Sequence, residues 1–363
     1  MAGTVAPETR AGGGGKDRSV ETARGVACLL VVVFHVLGAS SASGLALPTT
    51  NAWSYFGRSL DYVHMPAFAF LGGVAYGYSP LRRGQLVGFA RKKALRIILP
   101  LFTVTTLYLA GQFVVTTSSV RPDPAWRAYV YPYLHLWYLQ ALSWLMVGVV
   151  VLDALRLLRG PLLGAVLVGS CYLFWQRAHL LPAEFGAILA GYLAPFFLAG
   201  LAWHRWGGIA REWAAPVFLT GTAALAVLVW CLLPQNDVPG WAAAVLRLVA
   251  GIGLTAGFLA ARPDWRWAAW LGALSYPVYL YHVFGTAAAR HALYGLGITE
   301  VWTHLLIGAA AGIGAGLAVR LVGRRVGAAT GLPLGLALFG EARPERTAPM
   351  PLAAHVRPGD APS

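Results

Sequence analysis

Long, predominantly apolar runs govern what this chain can fold into. Ten of them lie at 22–40, 60–79, 95–116, 134–155, 162–176, 185–203, 213–233, 241–261, 268–288 and 302–322. A helix rises 1.5 Å per residue, so about 20 apolar residues cross the roughly 30 Å hydrocarbon core of a bilayer. Only 12% of the 363 residues are charged, against about 25% in a soluble domain, which leaves too little polar material to cover a water-facing surface. The fold class expected is all-α: a polytopic integral membrane protein of about ten transmembrane helices. The fifth run is short and has Gly and Pro at its flanks; a tilted helix and a re-entrant pairing with the sixth both fit it.

Residues 1–17, with consecutive glycines from Gly12 to Gly15, read as a disordered tail, and 18–325 as the transmembrane domain. Residues 326–363 read as a C-terminal tail in which Gly331 to Phe339 is too short to span and suits the membrane interface. More than twenty polar or Gly-rich residues precede the first apolar run, so no cleavable signal peptide is expected. Cys28, Cys171 and Cys231 all fall inside apolar runs and read as small buried hydrophobes, with no disulfide framework.

The net charge of +14 would suit nucleic acid in a soluble chain. Its distribution excludes that partner here. When the ten runs alternate across a bilayer, 22 of the 28 Lys and Arg fall on the side of the termini. Opposite lie Arg58, Arg121, Arg127, Arg177 and Arg290, while Arg247 falls within a run. The positive-inside rule then places both termini in the cytoplasm. Lysine is scarce beside arginine, and Ala, Gly, Leu and Trp abound, which points to a GC-rich bacterial genome and a bacterial plasma membrane. Arg82, Arg83, Arg91, Lys92, Lys93 and Arg96 crowd one cytoplasmic loop more densely than anchoring requires; anion binding and solvated loop charge both account for them.

The first apolar run opens at Arg24 and carries His35 near its far end. At about 100° per residue, eleven steps come within about 20° of three full turns, so both side chains share one stripe, about 16 Å apart along the axis. Ionisable groups at mid-depth are costly and usually face a protein interior or a wet cavity. An imidazole there either bonds a neighbouring helix or serves as a base. Asp61 and His64 lie near the outer surface, where capping and a role at an acceptor entrance are equally compatible. Pro66, Gly72 and Gly73 follow on the same run. His135-Leu-Trp137-Tyr-Leu opens the fourth run, where interfacial aromatic belts account for it. Leu274 to His282 places Ser, Tyr and His, including Tyr279, where lipid contact would keep the chain apolar; His282 is expected to face inward, in a structural or a substrate-binding role. No nucleophile elbow, Walker loop, Zn-spaced His pair or array of intramembrane carboxylates is present.

These residues together resemble the membrane-bound acyltransferase 3 family. Arg24 to His35 is similar to its Arg-x10-His signature, and His64-Met-Pro66 through Gly73 to its H-M-P-x-F-x-F-x-S-G segment. Lys93-Ala-Leu-Arg96-Ile-Ile-Leu-Pro100 resembles R-x-x-R-I-x-x-P, His135-Leu-Trp137 resembles H-L-W-F-L, and Ser275 to His282 resembles S-Y-P-x-Y-L-x-H. The matches fall in family order over about residues 18 to 325. Gly72 stands where the family usually has Ser, and Lys93 replaces the first Arg of its pair, keeping a point charge but losing the bidentate fork. The family's optional extracytoplasmic domain is absent.

The resemblance implies transfer of an acyl group from acyl-coenzyme A, as donor co-substrate with no permanently bound cofactor and no metal, to a carbohydrate or glycoside hydroxyl. It implies His35 and Arg24 as catalytic residues and Lys93, Arg96, His64, Trp137, Tyr279 and His282 as substrate-binding residues. The reading from another class is a multi-pass transporter or flippase for lipid-linked sugars or glycosides, whose expected features are broken helices in paired halves and midplane ionisable groups.

Overall fold

The computed structural model describes residues 18–341 apart from 39, 41–42, 82–83, 115–121, 234–235 and 237. The tail expected at 1–17, the segment beyond 341, and Arg82 and Arg83 lie outside the described residues. Every regular element among them is helical.

The first helix, α1 (Arg18–Leu37), has Glu21 in its first turn, where a carboxylate complements the helix dipole, and His35 in its last. It stops at Gly38, whose φ of 88° lies in the left-handed region open to glycine. Then come α2 (Ala52–Asp61), α3 (His64–Tyr78) and α4 (Leu86–Lys93). A π-helical turn (Ala94–Ile98) joins α4 to α5 (Leu99–Val114), followed by the short α6 (Arg127–Val130). A 3₁₀ turn (Leu134–Leu136) precedes α7 (Trp137–Ala154). The chain continues through α8 (Gly160–Leu180), α9 (Ala187–Trp206), α10 (Ala214–Trp230) and α11 (Gly240–Ala260). It ends with α12 (Arg266–Ala273), α13 (Ser275–Gly295), α14 (Val301–Thr330) and α15 (Leu334–Phe339).

Seven of these helical segments are long and apolar enough to cross a membrane, among them α1, α11 and α14. Outside that set fall α3, which has only 15 residues, and α8 and α13, whose polar side chains lower their apolarity. The protein is an all-α, multi-pass membrane protein. Two expectations change. Residues 162–176 do not form a half-length re-entrant element: α8 is a continuous helix of 21 residues packed along α9. The helical packing also continues past residue 325. There α15 packs on α5, α13 and α14 with Phe339 1% exposed, and Arg320 and Arg324 both pair with Glu341.

The motif prolines explain where helices break. Pro66 and Pro277 each sit in the first turn of a helix, α3 and α13, where the missing N–H would have had no intrahelical partner. The second and ninth runs are therefore each two helices, with breaks at Tyr62–Val63 and at Leu274. Pro100 acts differently. It cannot donate to the carbonyl four residues back, that of Arg96. The π-helical turn lies there, and the Tyr276 hydroxyl on α13 donates to the freed Arg96 oxygen at 2.6 Å.

Helix α1 is the hub, touching α2, α3, α11, α12, α13 and α14. In lipid, small residues let helix backbones close on one another. A methyl added to Gly25 would lie 1.8 Å from the Ala268 carbonyl oxygen, and one on Gly272 would lie 2.0 Å from that of Glu21. Gly73 and Gly200 make the same kind of crossing between α3 and α9. On the helix ends near Asp153, the Tyr76 hydroxyl and Arg205 both bind that buried carboxylate, at 2.9 and 3.1 Å, tying α3, α7 and α9 together. Gly25→Ala is expected to lower the unfolding free energy in detergent by about 2 kcal/mol, because α1 and α12 must part. Gly169→Ala, with nothing within 4 Å, leaves stability unchanged or improved; thermal melts of both variants check this.

Candidate active site

Helix α13 runs beside α1 in the same direction. The Cys28 sulfur reaches the Ser275 carbonyl at 4.0 Å, and seven residues further along each helix the His35 and His282 rings meet at 4.6 Å between centroids. The 3₁₀ turn before α7 inserts a third imidazole. His135 lies 5.8 Å from His35 and 5.0 Å from His282. All three pairs are edge-on, with interplanar angles between 71° and 80°.

Each ring is held by a backbone carbonyl, and a carbonyl can only accept. His35 Nδ1 therefore donates to Val31 at 2.9 Å, which leaves Nε2 as the nitrogen with the lone pair. His282 Nδ1 donates to Tyr279 at 2.8 Å and shares Val278 at 3.1 Å, and His135 Nε2 donates to Leu280 at 3.2 Å. Their remaining nitrogens, His282 Nε2 and His135 Nδ1, are buried without a hydrogen-bond partner. The neighbouring Tyr108 hydroxyl, whose ring lies 5.3 Å from His135, is likewise unpartnered. His135 is 4% exposed and His282 fully buried, whereas His35 is only half-buried. The three rings thus lie within 6 Å of one another, and His35 is the most exposed of them.

Tyr279 positions this cluster. Its hydroxyl donates to the His135 carbonyl while the His135 ring donates back to Leu280, so the 3₁₀ turn is clasped to α13 from both sides. The turn holds Leu134 at φ 46°, a left-handed conformation a branched residue adopts only under constraint, and such strain gathers at functional sites. The Tyr279 hydroxyl is committed to this contact, which makes it a positioning group.

The remaining candidates extend from the cluster in two directions. Towards the start of α1, Tyr138 lies 5.7 Å from Tyr279 and within electrostatic range of Arg24. Arg24 itself forms a half-buried pair with Glu21 at 3.1 Å, one turn back on its own helix. Tyr276 joins the same stripe, and its bond to the Arg96 oxygen brings the basic segment to it. The Arg96 side chain is exposed, and the Lys93 ammonium sits 5.3 Å over the Phe89 ring. In the opposite direction lies His64, 2% exposed, its ring donating to the Leu60 carbonyl and packing 4.6 Å from Phe34. Trp137 stays outside the imidazole cluster and packs against Tyr138 and Tyr192. A Cβ at Gly72 would meet the Phe197 ring on α9 at 3.5 Å.

Sequence reasoning passed over His135, whose neighbours Trp137 and Tyr138 make an ordinary interfacial belt. A histidine at the head of an apolar run was the available signal. No group of His, Cys, Asp and Glu fit to hold a metal ion occurs among the described residues. Cavities of about 250 and 300 Å³ lie at residues 122–133 and beside Trp203 and Arg262, and neither is lined by His35, His135 or His282.

A family model described as an acyltransferase domain, that of acyltransferase 3, matches residues 17–321. Neither a curated protein nor a solved structure matches the chain.

Differential labelling with diethyl pyrocarbonate, read by peptide mass spectrometry, tests the geometry of the cluster. His35 is expected to react first and His135 and His282 slowly. In Tyr279→Phe, losing one hydrogen bond of about 1 kcal/mol, His135 labelling rises several-fold, by about fivefold.

Proposed function

The chain belongs to the acyltransferase 3 family, and on that premise we propose that it moves an acyl group, acetyl in the simplest case, from acyl-coenzyme A to a hydroxyl of a sugar, polysaccharide or glycosylated natural product. The observation that carries this reading is His35: its Nδ1 is anchored on Val31 and its Nε2 is free, at the half-open edge of a buried imidazole cluster.

His35 Nε2 takes the proton of the acceptor hydroxyl as the oxygen attacks the thioester carbonyl. The carbon–sulfur bond then breaks, the ester forms, and the imidazolium returns its proton to the departing thiolate. Val31 supports the imidazolium through the hydrogen bond already in place. The donor enters from the Arg24 side, which positive-inside topology makes the cytoplasm of a bacterial cell. Its phosphates meet Arg96, Lys93 and Arg24 through charge-assisted hydrogen bonds. The Glu21 pair does not bar Arg24 from this role, because an isolated pair at a partly exposed site is weak and exchangeable. The roughly 16 Å rise from Arg24 to His35 suits a pantetheine-like arm.

His35→Ala is expected to lower turnover by about 10² to 10⁴-fold with insertion and melting temperature unchanged. Near-normal turnover in that variant removes His35 from the chemistry. Arg96→Ala is expected to raise the Michaelis constant for acyl-coenzyme A by about tenfold while leaving kcat close to normal, the loss of roughly one charge-assisted bond. Labelled acetyl-coenzyme A with glycoside acceptors separates this reading from transport, since a transporter yields no labelled ester.

A further inference from the structure

Beyond His64, on the side of His35 away from Arg24, the bundle holds a second group of polar side chains. Arg247 lies in the middle of α11 and stacks over the Tyr62 ring at 5.4 Å. Its Nε is buried without a partner. Arg177, near the end of α8, lies over the Phe174 and Tyr192 rings at 4.8 and 5.4 Å and donates to the Phe174 carbonyl. Tyr192 also contacts Trp137, at 6.5 Å. Asp61, exposed at the end of α2, directly precedes Tyr62 in the chain. Helices α8 and α11, which carry the two arginines, are in contact.

A guanidinium held among packed membrane helices costs free energy unless an anion balances it. Asp61 supplies one negative charge and forms no ion pair with either arginine. A net positive charge and an unused N–H donor therefore remain beside Tyr62, two residues before His64. Tyr62 lies under Arg247, Tyr192 under Arg177, and Trp137 beside Tyr192, aromatic surfaces of a kind suited to a sugar ring. Guanidinium forks match carboxylate and phosphate oxygens in geometry.

We propose that Arg247 and Arg177 form the acceptor subsite and select a glycoside carrying an anionic group, a carboxylate or a phosphate, near the hydroxyl to be acylated. This rests on the acyltransferase reading for its acceptor sense, but the anion preference is a binding property of its own. Three probes test it on the full-length protein in zwitterionic nanodiscs: methyl β-D-glucoside, methyl β-D-glucuronide and the 6-phosphate of methyl β-D-glucoside. Binding is followed by tryptophan fluorescence, with acetyl-coenzyme A binding measured in parallel. At least one anionic probe is expected to bind about tenfold or more tightly than the neutral one, and the preferred probe tells carboxylate from phosphate. In Arg247→Gln and Arg177→Gln the preference shrinks to about threefold or less, while Arg247→Lys keeps part of it and acetyl-coenzyme A binding is unchanged in all three. Equal affinity for neutral and anionic probes, no binding of any probe, or a preference that survives both Gln variants overturns the proposal. An intact anion preference with no ester formed from acetyl-coenzyme A supports the subsite and refutes the catalytic reading instead.

Discussion

A carbonyl oxygen of the preceding helical turn decides what His35 can do. In a bilayer every polar group must find its partner inside the protein, and the Val31 oxygen takes the Nδ1 proton. One nitrogen is thereby fixed as donor and the other left as acceptor, with the ring held at one orientation. His282 and His135 repeat the device from α13 and from the 3₁₀ turn. The outcome is a set of imidazoles whose tautomers are chosen by backbone geometry, with no carboxylate needed to orient them.

The backbone itself is arranged to make that possible. Gly25 and Gly272 bring α1 and α12 into direct backbone contact, and the break at Leu274 lets α13 leave α12 and run parallel to α1. Pro277 permits the restart, and Pro100 uncovers the Arg96 carbonyl that receives Tyr276. The proline and tyrosine of two distant motifs are therefore two halves of one joint, which couples the basic segment after α4 to the helix carrying His282. Tyr279, one turn further along, clasps the His135 turn. A single helix face thus connects the exposed Arg96 region to the buried imidazoles.

Much of the fold was legible from apolar periodicity, because lipid imposes length and composition on each span. The places where that reading failed share a cause. The second and ninth runs look continuous in composition, yet each is two helices, since the apolar count does not register that a proline belongs at a first turn. The fifth run, 162–176, looked short, but α8 spans Gly160–Leu180 and carries Arg177 and His179 in its last turn. Residues 334–339 are too few to span, and hydropathy alone does not show that they pack on α5 and α14 with Phe339 buried.

For the site, the spacing of Arg24 and His35 already placed both on one stripe, as any rigid helix of known pitch must. The sequence by itself therefore determined a membrane-embedded helical protein with an ionisable stripe down its first helix, because period and desolvation are local properties. Which groups meet that stripe was decided only by tertiary structure. His35, His135 and His282 are separated by 100 and 147 residues along the chain, and their meeting depends on helix crossings set by glycine contacts and on the turn clasped by Tyr279. The approach of α8 to α11, which carry Arg177 and Arg247, has the same origin, since it arises only when the bundle packs.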